Sequence, residues 1–159
     1  MGQKKIEMNQ RVEADKERGQ EIAEKGDQKI EEAEASKEAI TSIEIVEDDD
    51  EKAVEQGIKD SDAIARGLAE TDVKEPGERV SESLKETSEQ SKEYSEIEMQ
   101  GSAKATEMTA DYSGVGSEVS SELQQSGQEF QEIADGADQE NDELNSRVDQ
   151  IVASLEGIF

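Results

Sequence analysis

Apolar residues in this chain recur at three- and four-residue spacing over long stretches and almost nowhere alternate with polar ones. The spacing is clearest near the C-terminus, where Leu144, Val148, Ile151, Leu155 and Phe159 mark one stripe of a helix whose other faces are acidic. The stripe extends back through Ala137, Ile133, Phe130, Ser126, Leu123 and Val119, which predicts a helix running from a glycine turn to the end of the chain. Upstream, Glu, Lys, Gln and Ala dominate from about residue 4 to 46 and predict a first long helix. Its seam reads Val12, Gly19, Ile22, Gly26, Ala33, Ile40 and Ile43, interrupted by Asp15, Lys29 and Ser36. Each mid-helix glycine costs about 1 kcal/mol relative to alanine, so Gly19 and Gly26 either sit under a close helix contact or mark flexible points.

Asp48, Asp49 and Asp50 break the first helix and suit the start of a second, by capping and by the helix dipole. That second helix is expected from about 51 to 74, with Val54, Ile58, Ala65 and Leu68 near one stripe. Pro76 is placed as a first-turn proline would be in a third helix. Val80, Leu84, Thr87, Ser91, Tyr94, Gly101, Ala105 and Met108 form the seam of that helix, which should end near Tyr112. Gly114 and Gly116, between Ser113 and Ser117, make the clearest turn. The alternating stretch Thr41 to Val46 is read as a helix end. The expected fold is therefore all-α, an elongated antiparallel helical hairpin or bundle of about four helices, three of them long. It forms a single domain over residues 1–159, with sub-parts at 1–75 and 76–159.

Composition limits how such helices can close. Of 159 residues, 31% are hydrophobic and 3% aromatic, too few for a compact core, and 17 basic against 43 acidic side chains give a formal net charge of -26. Disorder of the isolated chain is the competing reading of these values. Residues 1–30 are neutral, with seven basic and seven acidic side chains, so the first helix and the acidic remainder face different environments or each other. From residue 112 onward Arg147 is the sole basic side chain. Such a surface repels nucleic acid and anionic lipid, so partners should be basic or apolar.

Cysteine and histidine are both absent, which removes disulfides, thiolate sites, the usual neutral-pH base and the commonest zinc ligand. Carboxylate pairs are abundant, but a working pair needs a desolvated pocket to separate its two pKa values, and bulky residues to wall one are scarce. The Asp48 to Glu51 run lacks the spaced ligands and central glycine of a calcium loop and reads as a helix cap. No enzymatic activity, cofactor or metal is expected. No apolar run has signal-peptide or membrane-spanning length, so membrane insertion is not expected, and any export would bypass a Sec signal.

Residues 76–159, with Tyr112, Ser113 and Gly114 at the turn, resemble the small helical-hairpin proteins of type VII secretion, whose turn carries Trp-x-Gly. Tyrosine replaces tryptophan here. Tyr94-Ser95-Glu96-Ile97-Glu98 matches the Tyr-x-x-x-Asp/Glu export motif of those families but precedes the turn, where theirs lies near the C-terminus. The resemblance implies a secreted partner or targeting module, cytoplasmic before export and without activity of its own. Its residues of interest are Tyr94, Glu98, Tyr112 and Gly114.

Three readings follow. In the first, a non-enzymatic module lays Phe130, Ile133, Leu144, Val148, Ile151, Leu155 and Phe159 along another helical protein, unless these side chains form the chain's own core. In the second, the same seams drive self-association of a scaffolding coiled coil for phage or envelope assembly, with Asp15, Lys29 and Glu140 setting register. In the third, the acidic tail mimics a polyanion and occupies a basic protein.

Overall fold

The computed structural model describes residues 2–108 and 115–159, and the chain is all-α, with no strand among the described residues. Helix α1 spans Gly2–Thr41, α2 Asp48–Leu68, α3 Glu75–Met108 and α4 Val115–Gly157. A π-helical segment, Ala69–Lys74, joins α2 to α3 without a break, so the described residues form three helical runs where the sequence predicts about four helices.

Pro76 explains the difference. Inside an α-helix its ring would collide with the carbonyl of Asp72, and its missing N–H would leave that carbonyl unpaired. The π segment places an extra residue in the turns just before the proline, and the Glu75 N–H bonds instead to the Glu70 carbonyl, five residues back. Proline therefore follows a rewound turn and starts no separate helix.

The other boundaries follow local chemistry. Helix α1 ends at Thr41, earlier than expected, because Thr41, Ile43, Ile45 and Val46 are β-branched and lose side-chain freedom in a helix. Ile43 thus leaves the α1 seam. The Asp50 carboxylate accepts the backbone N–H groups of Val46 at 3.2 Å and Glu47 at 3.1 Å, which fixes the entry into α2 as the acidic run predicts. On the surface Asp62 pairs with Arg66 and Glu70 with Lys74, at 3.0 and 3.1 Å. Arg11 reaches Gln90 and Glu86 of α3. Tyr112, Ser113 and Gly114 lie outside the described residues, while Gly116 and Ser117 are within α4.

The chain divides into two compact units: Met1–Lys16 with Glu82–Asp142, and Glu17–Ser81 with Glu143–Phe159. In the first, α1 and α3 pair in reverse order, with the Ser91 hydroxyl donating to Met8 Sδ at 3.2 Å and the Ser83 hydroxyl donating to Asp15 at 2.5 Å. α1 and α4 pair in the same order, through Lys5 with Glu129 and Lys16 with Glu140. Met8, Phe130 and Ile133, flanked by Val12 and Tyr94, are its apolar centre. In the second unit, Ile22, Ala33, Ala65, Ala69, Val73, Val80, Leu144, Val148, Ile151, Leu155 and Ile158 are buried.

Glycine sets the helix spacing in that second unit. A Cβ on Gly26 would stand 2.6 Å from Ile151 Cγ2, and one on Gly19 would stand 3.2 Å from Leu144 Cδ1. The seam glycines of α1 therefore lie under a close contact. Gly77 does the same for the α3 segment, where a Cβ would come within 2.7 Å of Val148 Cγ2. Gly136, inside α4, meets nothing within 4 Å.

These environments give opposite expectations for the same substitution. Gly26→Ala should lower stability in urea unfolding by about 1–3 kcal/mol, because Ile151 is buried and its branch at Cβ has no room to move. Gly136→Ala should raise it by about 0.5–1 kcal/mol through helix propensity alone. Equal effects at the two sites would overturn the close-contact assignment.

Candidate recognition surface

Helix α4 carries most of the residues singled out in the sequence, and the fold turns them inward. Phe130, Ile133, Leu144, Val148, Ile151 and Leu155 are buried, and Phe159 is half-buried. Phe130 and Ile133 belong to the first unit and the other five to the second, so the two ends of the stripe serve different packing centres. The stripe spacing follows from one helical face being covered along its length.

Tyr94 and Glu98 are one helical turn apart on α3 and therefore share a face. Tyr94 stacks on Phe130, with ring centroids 5.1 Å apart and planes at 23°. Lys5 Nζ lies 5.4 Å from the centroid of the same phenylalanine, on the way to its ion pair with Glu129. Glu98 is 1% exposed, and neither carboxylate oxygen has a hydrogen-bond partner among the described residues. It lies where α4 presents Gly127, since a Cβ there would stand 3.4 Å from Glu98 Cβ and 3.2 Å from the Ser95 carbonyl. The sequence gives no sign of this burial, because a glutamate in a glutamate-rich helix reads as a solvated face.

The rest of the α3 face is lined with hydroxyls. Ser81, Thr87, Ser88, Ser91, Ser95 and Ser102 are buried. Thr87 and Thr106 return their hydroxyls to carbonyls four residues back, and Ser102 bonds the Ser120 carbonyl of α4 at 2.9 Å. Side chains as small as these allow helices to approach with little apolar bulk.

Charge pairs fix the register at the rim. Lys92 of α3 donates to Asp138 of α4 at 2.7 Å, holding that carboxyl below its ordinary pKa while the lysine rises. Lys5, helped by Gln125, does the same to Glu129. In the second unit, Arg147 meets both oxygens of Asp27 at 2.5 and 2.6 Å.

Among the described residues, no group of three or more acidic side chains is arranged to hold a metal ion. No helix is long and apolar enough to cross a membrane among those residues. A shallow groove in the second unit is lined by Lys29, Glu32, Ala33, Ser36, Ser61, Ile64, Leu68 and Phe159, and the Ser36 hydroxyl donates to the Glu32 backbone carbonyl at 2.8 Å. The large apolar side chains left exposed include Ile43, Ile45, Val46, Ile64, Ile97, Val115 and Val119. No protein-family model, curated protein or solved structure matches the chain.

Two outcomes test these assignments. Glu98→Met should raise the stability of the chain by about 1–3 kcal/mol in urea unfolding, because a buried carboxylate without partners gives way to an apolar side chain of similar length. Loss of stability would mean that the carboxylate holds the contact together. The lowered Asp138 pKa means that its pairing stabilises the fold above the ordinary carboxylate range and is lost as pH falls through the depressed folded value. Lys92→Met should therefore cost on the order of 0.5 kcal/mol at neutral pH, the pair being half-exposed. That difference from wild type should vanish in acid, once Asp138 is protonated in the folded chain. A difference that persists in acid would assign the effect to packing.

Proposed function

We propose that this chain is a non-enzymatic helical protein–protein interaction module whose three helical runs pack in an antiparallel arrangement and present an acidic exterior to a partner. The observation that carries the reading is the burial of the α4 stripe within the chain's own units. A stripe covered in this way supports a module that folds alone and is recognised through its outer faces. The same burial disfavours a scaffold that self-associates through those seams. With a net charge of -26, recognition runs toward basic or apolar surfaces.

The narrower form of the proposal is a partner or targeting protein of a type VII-like secretion system. Support for it comes from the Tyr94 to Glu98 spacing and from the pairing of α3 with α4 in reverse order, through Tyr94 with Phe130 and Ser102 with Ser120. Tyr94 and Glu98 would act there through the shape of the α3–α4 contact that they complete, since Glu98 itself is covered.

Light scattering with circular dichroism on the isolated protein tests the broader reading. The expected result is a helical monomer of 17.4 kDa. A helical dimer or larger species would favour the scaffold, and an unfolded chain would mean that a partner completes the fold. Export from the native host tests the narrower reading. Tyr94→Ala should abolish secretion while leaving the helical signal intact, and continued secretion would remove the type VII assignment without touching the module.

A further inference from the structure

Between α1 and α2 the chain leaves helical geometry for a few residues, and those residues differ from the other exposed segments among the described residues. Ile43, Ile45 and Val46 are 53, 55 and 75% exposed, although isoleucine and valine are among the residue types most often buried. Other exposed apolar side chains, such as Ile64 and Ile97, stand on helices whose backbone groups are already bonded to one another. The backbone here is different. Ser42 and Ile43 complete the end of α1, and the N–H groups of Val46 and Glu47 are taken by Asp50. The N–H groups of Glu44 and Ile45 and the carbonyls of residues 43–46 have no hydrogen-bond partner among the described residues. Glu47, which closes the segment, has extended dihedrals, φ -131° and ψ 160°.

We infer that residues 43–46 are a docking strand, added to the exposed edge of a β-sheet in a partner whose apolar edge groove is bordered by lysine or arginine. Each part of that description follows from the segment. Free backbone donors and acceptors in a β-branched run are what a sheet edge completes. Period-two alternation puts Ile43 and Ile45 on one face of such a strand, where two adjacent apolar pockets would take them. Glu44 faces the other way, and Glu47, Asp48, Asp49 and Glu51 follow directly, so the end of the strand is acidic and calls for basic neighbours. The same charges select against a second copy of this chain. Parallel pairing would stack the acidic runs on each other, antiparallel pairing about the midpoint of the segment would set the Glu44 carboxylate against Ile45, and either would bring together two chains that each carry a net charge of -26. The inference does not depend on the secretion reading, because the segment lies outside residues 76–159.

The test uses the full-length protein and a designed three-stranded β-sheet peptide whose free edge alternates valine and lysine. Because successive N–H groups of a strand point to opposite edges, amide hydrogen exchange should slow at least tenfold at Ile45 and at the free-edge residues of the peptide when the two are mixed, and not at Glu44. The effect should weaken about tenfold in affinity between low and roughly 0.5 M salt, because the attraction is between exposed charges. A peptide with glutamate in place of lysine should give no protection. Ile45→Pro should abolish protection of the peptide's edge residues by removing the donor, and it should leave the helical signal unchanged because residue 45 lies outside the helices. Absence of protection would overturn the inference. So would protection that survives Ile45→Pro, equal protection by the glutamate peptide, or a doubling of mass through this segment in the absence of peptide.

Discussion

Close approach of helix backbones is the constraint from which the other features follow. With 31% hydrophobic residues the chain cannot fill wide gaps between helices, so the gaps themselves are narrow. Gly26 and Gly77 admit the branched side chains of Ile151 and Val148 to distances that no Cβ would permit. Elsewhere the same economy is reached with hydroxyls, since Ser91, Ser95 and Ser102 occupy buried positions at which a larger bundle would place leucine. Bulk is supplied mainly from one side, by Phe130, Leu144, Val148, Ile151 and Leu155 of α4. Small residues on α1 and α3 facing large ones on α4 is how a chain with few apolar residues still closes its helices.

Charge completes what narrow packing begins. The first thirty residues are neutral because their lysines have a use: Lys5 and Lys16 reach Glu129 and Glu140, each 124 positions along the chain. The offset is common to both pairs, which is what two helices aligned in one direction require. Arg147, the sole basic residue after position 112, goes to Asp27 of α1. Exposed pairs of this kind contribute little to stability individually, but a mismatched register would set acids of α4 against acids of α1, so they discriminate among alignments more than they stabilise one. Other acidic side chains of α4, such as Glu122, Glu132, Asp135, Asp142 and Asp149, are exposed and repel like-charged molecules.

Legibility in the sequence followed how local each cause is. The stripe of α4 is a long periodic signal, and Phe130, Ile133, Ala137, Leu144, Val148, Ile151 and Leu155 could be read from spacing, whereas the small Ala134 and the polar Asn141, also buried, could not. Gly19 and Gly26 were legible as contact candidates because a glycine within a seam has an energetic cost that something must offset. The Asp50 cap is a local motif and was legible too. Gly77 and Gly127 were missed because neither interrupts an obvious stripe, and their role depends on which residue of α4 happens to lie opposite. Pro76 misled because a proline near a helix start and a proline after a π segment look alike in sequence; only the bonding of Glu75 to Glu70 separates them. Thr41 to Val46 misled because four β-branched residues beside a strong helix can be read as its frayed end, whereas their exposure and free backbone make them a separate element.

The position of Glu98 bears on any reading that uses Tyr94 as a recognition residue. A spacing of four places both side chains on one face of α3, so they cannot be divided between core and surface. That face lies against α4, with Tyr94 on Phe130 and Glu98 opposite Gly127. A partner that reads the two side chains directly would have to part α3 from α4 at this point, and the buried carboxylate without partners makes it one of the less costly places to part them. A partner that reads the closed fold would instead meet only the neighbouring exposed residues, Ile97 and Met99, and feel Tyr94 and Glu98 through the position of the helix. Both routes give the same motif in sequence. They differ in whether relief of the Glu98 contact makes recognition easier or leaves it unchanged, so the physical meaning of the motif lies in the energy of that one contact.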